Sequence, residues 1–416
     1  MHVWNMQESI TSKNISNYPF SKEKSKLQKI FLDNHNWTFL KTLHPELLNE
    51  DVAEIVDKAL SCGLNGGITY CCPSCGNLEY IGFGCNSKFC TRCGKRLIDT
   101  WSEKVAKSVL KAEHRHWILT MDSRLWPIID EHRHLLDILF NSGYEFMQTM
   151  MTDITRNKIR IPNKLVIPGM VSALHTSGKG LAFKPHLHSV VTEGGLFVNH
   201  RNPKKTNTPR WIKLSYFHFD TYRILWKDIL LDNFSSALPF TYFPLIEQIR
   251  AENINGFDIR APKENIIKNI KRIGKYVAKY VRHPPIAESR IDNYDANFVY
   301  FHYEDTKTKE RVDEELVVYD FMIQLLKHIQ KKGFRMVRYY GLYANKYKST
   351  YRTIFIELRF MNSHCESLAS FIEIRTQVLC KRCKKSMVIE FYHPPDPPEE
   401  QFGELLNHYL IKPHVV

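Results

Sequence analysis

A histidine pair, a tyrosine pair and two cysteine pairs are the side chains of this 416-residue sequence best placed to do chemistry. His186 and His188 lie in Pro185-His-Leu-His188, a strand-like run. Side chains at i and i+2 of a strand face the same way, so both can hold one metal ion while Leu187 points into a core. His175 lies eleven residues upstream of His186 on a second strand candidate. If Ser177 to Lys184 close a hairpin, His175 stands across from the pair and completes a facial three-histidine site. Three protein nitrogens leave positions open for water and phosphate, which metal-assisted phosphoryl chemistry requires. The same pattern also suits two histidines without a ligand, and a chain with 19 histidines produces such pairs by chance.

Tyr276-Val-Ala-Lys-Tyr280 supplies the second group. Advancing 100° per residue from Ile266, the residues Ile266, Ile270, Ile273, Val277 and Val281 fall in a stripe about 80° wide, which predicts an amphipathic helix over Pro262 to Arg282. Lys275, Lys279 and Arg282 lie on its opposite half as DNA-binding candidates. Tyr276 and Tyr280 lie on one seam, a turn apart. Their rings can pack at the edge of a core while their hydroxyls project into basic surroundings. There they can attack a phosphodiester, with cations stabilising the anionic transition state. Seam tyrosines also serve simply as packing residues.

Seven of the ten cysteines fall between Cys62 and Cys93. Cys72-Pro-Ser-Cys75 and Cys90-Thr-Arg-Cys93 are two CxxC pairs separated by fourteen residues. Each pair puts two thiolates on one tight turn, and two such turns make the four-sulfur tetrahedron of a structural zinc site. Cys71 and Cys85 are spare candidates. Cys380-Lys-Arg-Cys383 is a third such pair without an obvious partner: half a zinc site, a dimer-bridging site and free thiols are all open.

These groups need elements to position them. The chain is too long for one ordinary core, and two or three domains are expected. Its charge is +14, with 25% charged and 43% hydrophobic residues, which describes a basic globular chain rather than a disordered one. The positive balance suits a polyanionic partner such as nucleic acid. No apolar run reaches the ~18 residues that span a bilayer. The polar segment Met1 to Gln28 has no h-region, which argues against secretion. Strand candidates are His116 to Met121, Met170 to Thr176 and Pro185 to Thr192. Helices are expected near Glu131 to Arg156, Asp220 to Phe234 and Asp320 to Lys331, and a hairpin over Phe298 to Val318 turning at Asp305 to Thr308. Strands and helices without βα alternation favour an α+β fold.

Several segments, in order, resemble a known family. They are the Cys72 to Cys93 block, His116-Trp-Ile-Leu-Thr, Lys184-Pro-His-Leu-His-Ser-Val-Val-Thr-Glu-Gly-Gly195, Tyr276 through Arg290, and Lys332-Gly-Phe-Arg-Met-Val-Arg-Tyr-Tyr-Gly341. They resemble the rolling-circle transposases of the insertion sequence 91 family, within the HUH (His-hydrophobic-His) endonuclease superfamily. The resemblance spans residues 70 to 345. It implies an HUH-type nuclease domain at 105–290, with a central antiparallel sheet flanked by helices and the tyrosine helix across it. An N-terminal helical region (1–65) and a small cysteine zinc module (66–100) precede it, and a basic, aromatic DNA-binding region (291–416) follows.

By the same resemblance, His186 and His188 ligate Mg2+ or Mn2+. Tyr276 and Tyr280 are nucleophiles that cleave single-stranded DNA, leaving a 5′-phosphotyrosine bond and a free 3′-hydroxyl. Cys72, Cys75, Cys90 and Cys93 bind structural Zn2+. Many relatives carry Gln at the position of His175, so its third-ligand role rests on hairpin geometry alone. The expected partner is single-stranded DNA at transposon ends and target, and the expected location is the prokaryotic cytoplasm, at the nucleoid. Lys331 to Arg352 holds seven basic and no acidic residues among interleaved aromatics. Arg335, Arg338, Tyr339 and Tyr340 are DNA-binding candidates there, since bases stack on rings while cations track phosphates. A strand with half its aromatics in the core explains the same pattern. Two other functions use these residues: a plasmid rolling-circle replication initiator, and a non-catalytic zinc-ribbon protein that binds single strands without forming an adduct.

Overall fold

A computed structural model describes residues 24–48, 50–63, 66–85, 87, 89–91, 93, 105, 109–159, 164–199, 210–213, 219–262, 266–267, 273, 284–305, 308–351 and 378–393. These form two compact units interleaved in sequence. Ser61–Cys85 and Leu368–Val416 belong to the first, Lys26–Leu60 and Asn86–Ser367 to the second.

The first unit is a three-stranded antiparallel sheet. Strands are numbered β1 to β13 along the chain. Here β1 (Gly67–Cys71) is central, between β2 (Leu78–Gly82) and β13 (Val388–His393). Among the described residues its buried cluster is Cys72, Cys380 and Met387. The expected zinc module at 66–100 is thus completed by a strand from the far end of the chain.

The second unit is built on a seven-stranded antiparallel sheet. The strands are β3 (His114–Leu119), β4 (Lys164–Ser177), β5 (Phe183–Asn199), β6 (Arg210–Lys213), β7 (Ile259–Arg260), β8 (Ile266–Ile267) and β12 (Val337–Gly341). The order is β12-β4-β5-β3-β7, with β6 paired to β5 and β8 to β3. This is the α+β fold expected. Strands β4 and β5 are long hairpin partners whose alternating side chains supply two cores. On one face Met170, Leu174, Leu187 and Val191 pack with Trp117 and Leu119, beneath helices Leu135–Ile159 and Phe219–Ser235. Each such side chain contributes about 1.5–3 kcal/mol by leaving water. Gly143 brings the first helix against the sheet, since a Cβ there would stand 2.7 Å from the Leu187 side chain. On the other face Val171, Ala173, Val190 and Val198 pack with Ile273 and Tyr343.

A wide bulge interrupts the β4–β5 ladder between Pro168 and Met170. Gly194 stands there at φ +148, where a Cβ would come within 2.2 Å of the Ile212 carbonyl oxygen, so only glycine serves. Beside it lies a buried ion pair, Arg115 Nε to Glu193 at 2.7 Å, doubled by Arg115 Nη2 at 2.7 Å.

The expected hairpin is present as β10 (Phe298–Glu304) and β11 (Arg311–Val317), with β9 (Ile291–Tyr294) completing a second small sheet. N-terminal helices Lys26–Leu32 and Asn36–Leu43 join this side of the unit: Asn36 Nδ2 donates to the Tyr294 hydroxyl at 2.9 Å. Three expected boundaries therefore change. The helices of 26–60 are not a separate region, the seven-stranded sheet continues past residue 290 to take in β12, and the chain after 378 joins the first unit. The helix expected from Pro262 also starts later. Ile266 and Ile267 form strand β8, because the free edge of β3 offers backbone partners that side-chain periodicity cannot reveal. Ile273 is helical and fully buried. Tyr276 and Tyr280, with Lys275, Lys279 and Arg282, lie outside the described residues.

Candidate metal centre

The β4–β5 hairpin sets His175 directly opposite His186 in register. The turn between them is held by Gly178 N–H donating to the Ala182 carbonyl at 2.8 Å. His328 clips the same turn, its ring nitrogens meeting the Thr176 hydroxyl at 3.1 Å and the Leu181 carbonyl at 3.0 Å. His186 Nε2 lies 3.3 Å from His175 Nδ1 and 3.0 Å from His188 Nε2. Nitrogens bound about 2.1 Å from a metal stand ~2.9–3.4 Å apart in octahedral or tetrahedral sets.

Tautomers can be assigned from the outer contacts. His186 Nδ1 is 2.7 Å from the Lys184 carbonyl and must donate to it, leaving Nε2 as the lone pair turned inward. His188 Nδ1 meets His116 Nε2 at 3.0 Å, with the two rings stacked at 5.2 Å and 6°. The outer nitrogen of His175, Nε2, faces the Ser177 hydroxyl at 3.2 Å. Three lone pairs pointed at one place repel unless a cation lies between them, so the donor set suits a divalent ion. Burial pushes the His186 imidazole down to about 4, against the opposing pull of the Lys184 carbonyl. Burial likewise puts His116 at about 4. Both are neutral at pH 7, as a ligand and its supporting acceptor must be.

The histidines share their face of the sheet with Val171, Ala173 and Val190, and Ile273 packs on that face. A cleft beside His175 is lined by Lys58, Lys331, Lys332, Gln330 and Phe334. Of the expected DNA-binding residues, Arg335 is exposed. Arg338 is paired with Asp137 and covers the Phe140 ring at 4.4 Å. Tyr340 stacks on Tyr144 at 5.1 Å and donates to Asn141 at 3.0 Å, while Tyr339 packs against the opposite core. Strand alternation along β12 thus engages three of the four within the fold.

The cysteines are regrouped. Cys72 and Cys75 lie together with Cys380 and Cys383, all four sulfurs within 4.8 Å of one another, and not with Cys90 and Cys93. Those two are buried residues of the second unit. Spacing along the chain ranks near neighbours first, whereas β1–β13 pairing brings the distant pair in. His116 was also missed. Its signal was available: His114 and His116 alternate on a strand run, like the ligand pair itself.

Two family models match the chain. A family model described as a putative transposase matches residues 169–350, and a transposase zinc-binding domain of the insertion sequence 91 type matches residues 31–121. The transposase for insertion sequence element IS801 from Pseudomonas savastanoi pv. phaseolicola is 29% identical over 337 residues, 77% of this chain and 76% of its own. Along these matches the chain is similar to the transposases of the insertion sequence 91 family. A putative transposase, y4qJ, from Sinorhizobium fredii (strain NBRC 101917 / NGR234) is 24% identical over 299 residues, 68% of this chain and 71% of its own. No solved structure matches.

On this transposase, the longer match takes in most of β4 with β5, Ile273 and β12, hence His175, His186 and His188. The zinc-binding match contains Cys72, Cys75, Cys90, Cys93 and His116, and supports structural zinc. Cys380 and Cys383 lie outside both matches. As a transposase it acts on DNA. Among the described residues no helix is long and apolar enough to cross a membrane.

Proposed function

We propose that this transposase cleaves and rejoins single-stranded DNA through 5′-phosphotyrosine intermediates formed by Tyr276 and Tyr280, the chemistry of rolling-circle transposition. The observation that carries the reading is the convergence of His175, His186 and His188 on the sheet face where Ile273 packs. Tyr276 follows Ile273 by one helical turn of sequence, on the seam beside the stripe that Ile273 belongs to. The three imidazoles would hold Mn2+ or Mg2+, and three nitrogen donors favour Mn2+, since magnesium prefers oxygen. Such an ion supplies Lewis-acid polarisation of the scissile phosphate.

The chain's own residues do the rest. A tyrosine oxygen attacks phosphorus, its proton passes to solvent, and the P–O3′ bond breaks, the leaving oxygen taking a proton from solvent to become a free 3′-hydroxyl. The phosphodiester energy is kept in the Tyr–O–P bond, so a later 3′-hydroxyl can reverse the attack on another strand without ATP. The second tyrosine lets a second strand be cut before the first is released. Lys58, Lys331 and Lys332 line the approach beside His175 and suit a phosphate backbone, while Phe334 offers a stacking surface.

The test is a denaturing gel of the full chain incubated with labelled single-stranded DNA, including the flanks of its gene, and Mn2+. An SDS-stable labelled adduct that needs His186 and at least one tyrosine is expected, with Tyr276→Phe and Tyr280→Phe ranking the nucleophiles. Tight single-strand binding with no adduct on any flank would refute the proposal in favour of a non-catalytic binding protein. An adduct unaffected by His186→Ala would refute the role of the histidines.

A further inference from the structure

We infer that Cys72, Cys75, Cys380 and Cys383 bind one zinc ion, a clasp that joins the C-terminal end of the chain to the N-terminal cysteine module. The two CxxC segments lie 311 residues apart at their Cys72–Cys383 pair, yet they have the same backbone. In the first, Gly76 N–H donates to the Cys72 carbonyl at 2.9 Å, Cys72 N–H donates to the Asn77 carbonyl at 2.9 Å, and Gly76 is left-handed at φ +68. In the second, Lys384 N–H donates to the Cys380 carbonyl at 2.9 Å, Cys380 N–H donates to the Lys385 carbonyl at 2.8 Å, and Lys384 is left-handed at φ +62. A non-glycine residue rarely adopts that conformation and persists there only where its surroundings impose it. Two matched knuckles, each presenting two sulfurs, are what a tetrahedral thiolate site needs.

The distances agree. Cys72 Sγ is 3.4 Å from Cys383 Sγ and Cys75 Sγ is 3.6 Å from Cys380 Sγ. Sulfurs about 2.3 Å from a central zinc stand ~3.8 Å apart, while a disulfide holds them at ~2.0 Å.

The energetics point the same way. β13 pairs with β1 from Gly67↔His393 to Cys71↔Val388, so the strand begins just after the second knuckle. Yet Val388, Ile389, Phe391 and Tyr392 are half or more exposed, and among the described residues the buried cluster of this sheet holds three, two of them cysteines. So small a core does not hold a strand from the other end of the chain, and small domains of this kind are stapled by metal. Glu79 of β2 adds to the staple, accepting from Lys381 N–H at 2.8 Å and pairing with Lys381 Nζ at 3.0 Å. On binding, each thiol gives its proton to solvent and its sulfur to zinc, with no change of oxidation state.

Zinc content of the full-length chain, measured by native mass spectrometry, tests the clasp. Cys72→Ser, Cys380→Ser and the double variant are each expected to lose the same single equivalent relative to wild type. Cys383→His, which keeps a zinc donor, is expected to retain it, and this separates ligand loss from misfolding. Limited proteolysis of Cys380→Ser should release the C-terminal end faster than in wild type. Full zinc content in Cys380→Ser, two equivalents lost from the double variant, or a wild-type mass two daltons low with a Cys72–Cys383 peptide linkage would each overturn the inference. None of these readouts depends on DNA cleavage, so the clasp and the catalytic proposal fail separately.

Discussion

His116 offers a sharp test of the metal centre, because it touches a ligand and not the metal. Its Nε2 faces His188 Nδ1 at 3.0 Å, and burial keeps it neutral, so it accepts the proton that commits His188 Nε2 to the ion. Loss of such an outer partner weakens metal binding by about 10–100-fold, or ~1.4–2.7 kcal/mol. Phe at this position keeps the stacked ring but removes the acceptor, whereas Gln offers a carbonyl oxygen. We expect His116→Phe to raise the Kd for Mn2+ by one to two orders of magnitude in a calorimetric titration, and His116→Gln to recover most of that loss. Cleavage by the Phe variant should return as Mn2+ is raised. Wild-type affinity in His116→Phe, or a cleavage defect that saturating Mn2+ leaves unchanged, would refute the reasoning, since a residue acting through the ligand must act through affinity.

Two further outcomes follow from buried groups. Glu193→Ala strands the Arg115 guanidinium, whose side chain is 6% exposed, and should cost about 3–5 kcal/mol in a denaturant titration; Arg115→Met combined with Glu193→Leu should cost less than Glu193→Ala alone. Burial holds His114 and His328 at about 4, below the usual 6.5. Between pH 6.5 and 4 the unfolded chain then binds more protons than the folded one, so stability is complete above pH 6.5 and falls as pH drops through that window. The loss is at most about 3 kcal/mol for each histidine. A thermal melting temperature that is flat from pH 6.5 to 4.5 would contradict this, and His328→Gln should make the dependence shallower.

Much of the site was legible from local pattern. The period of two in His186-Leu-His188, with glycines at 178 and 180 to turn the chain, implied the hairpin, and the hairpin placed His175. The structure has this register, and Leu187 enters the core between the two ligand candidates as its position requires. The motif Thr192-Glu-Gly-Gly195 was visible as a string but not in its function. Only the fold sets Glu193 against Arg115, and only the bulge beside β6 explains Gly194.

What the sequence by itself determined is therefore what depends on neighbours along the chain. This covers the α+β class, the strands that carry the histidines, the hairpin at 298–317 and the affinity of CxxC turns for zinc. Tertiary structure decided what depends on partners. Ile266 and Ile267 carry a helical period and yet form a strand, because β3 presents an unfilled edge. Tyr339 and Tyr340 read alike in a basic run, but strand alternation on β12 sends one to each face of the sheet. Cys72 and Cys75 meet Cys380 and Cys383 where β13 lies beside β1, a contact no spacing rule can rank above a nearer pair. Local propensity is written in residues a few positions apart, whereas a backbone edge, a sheet face or a fourth sulfur exists only once the chain has folded.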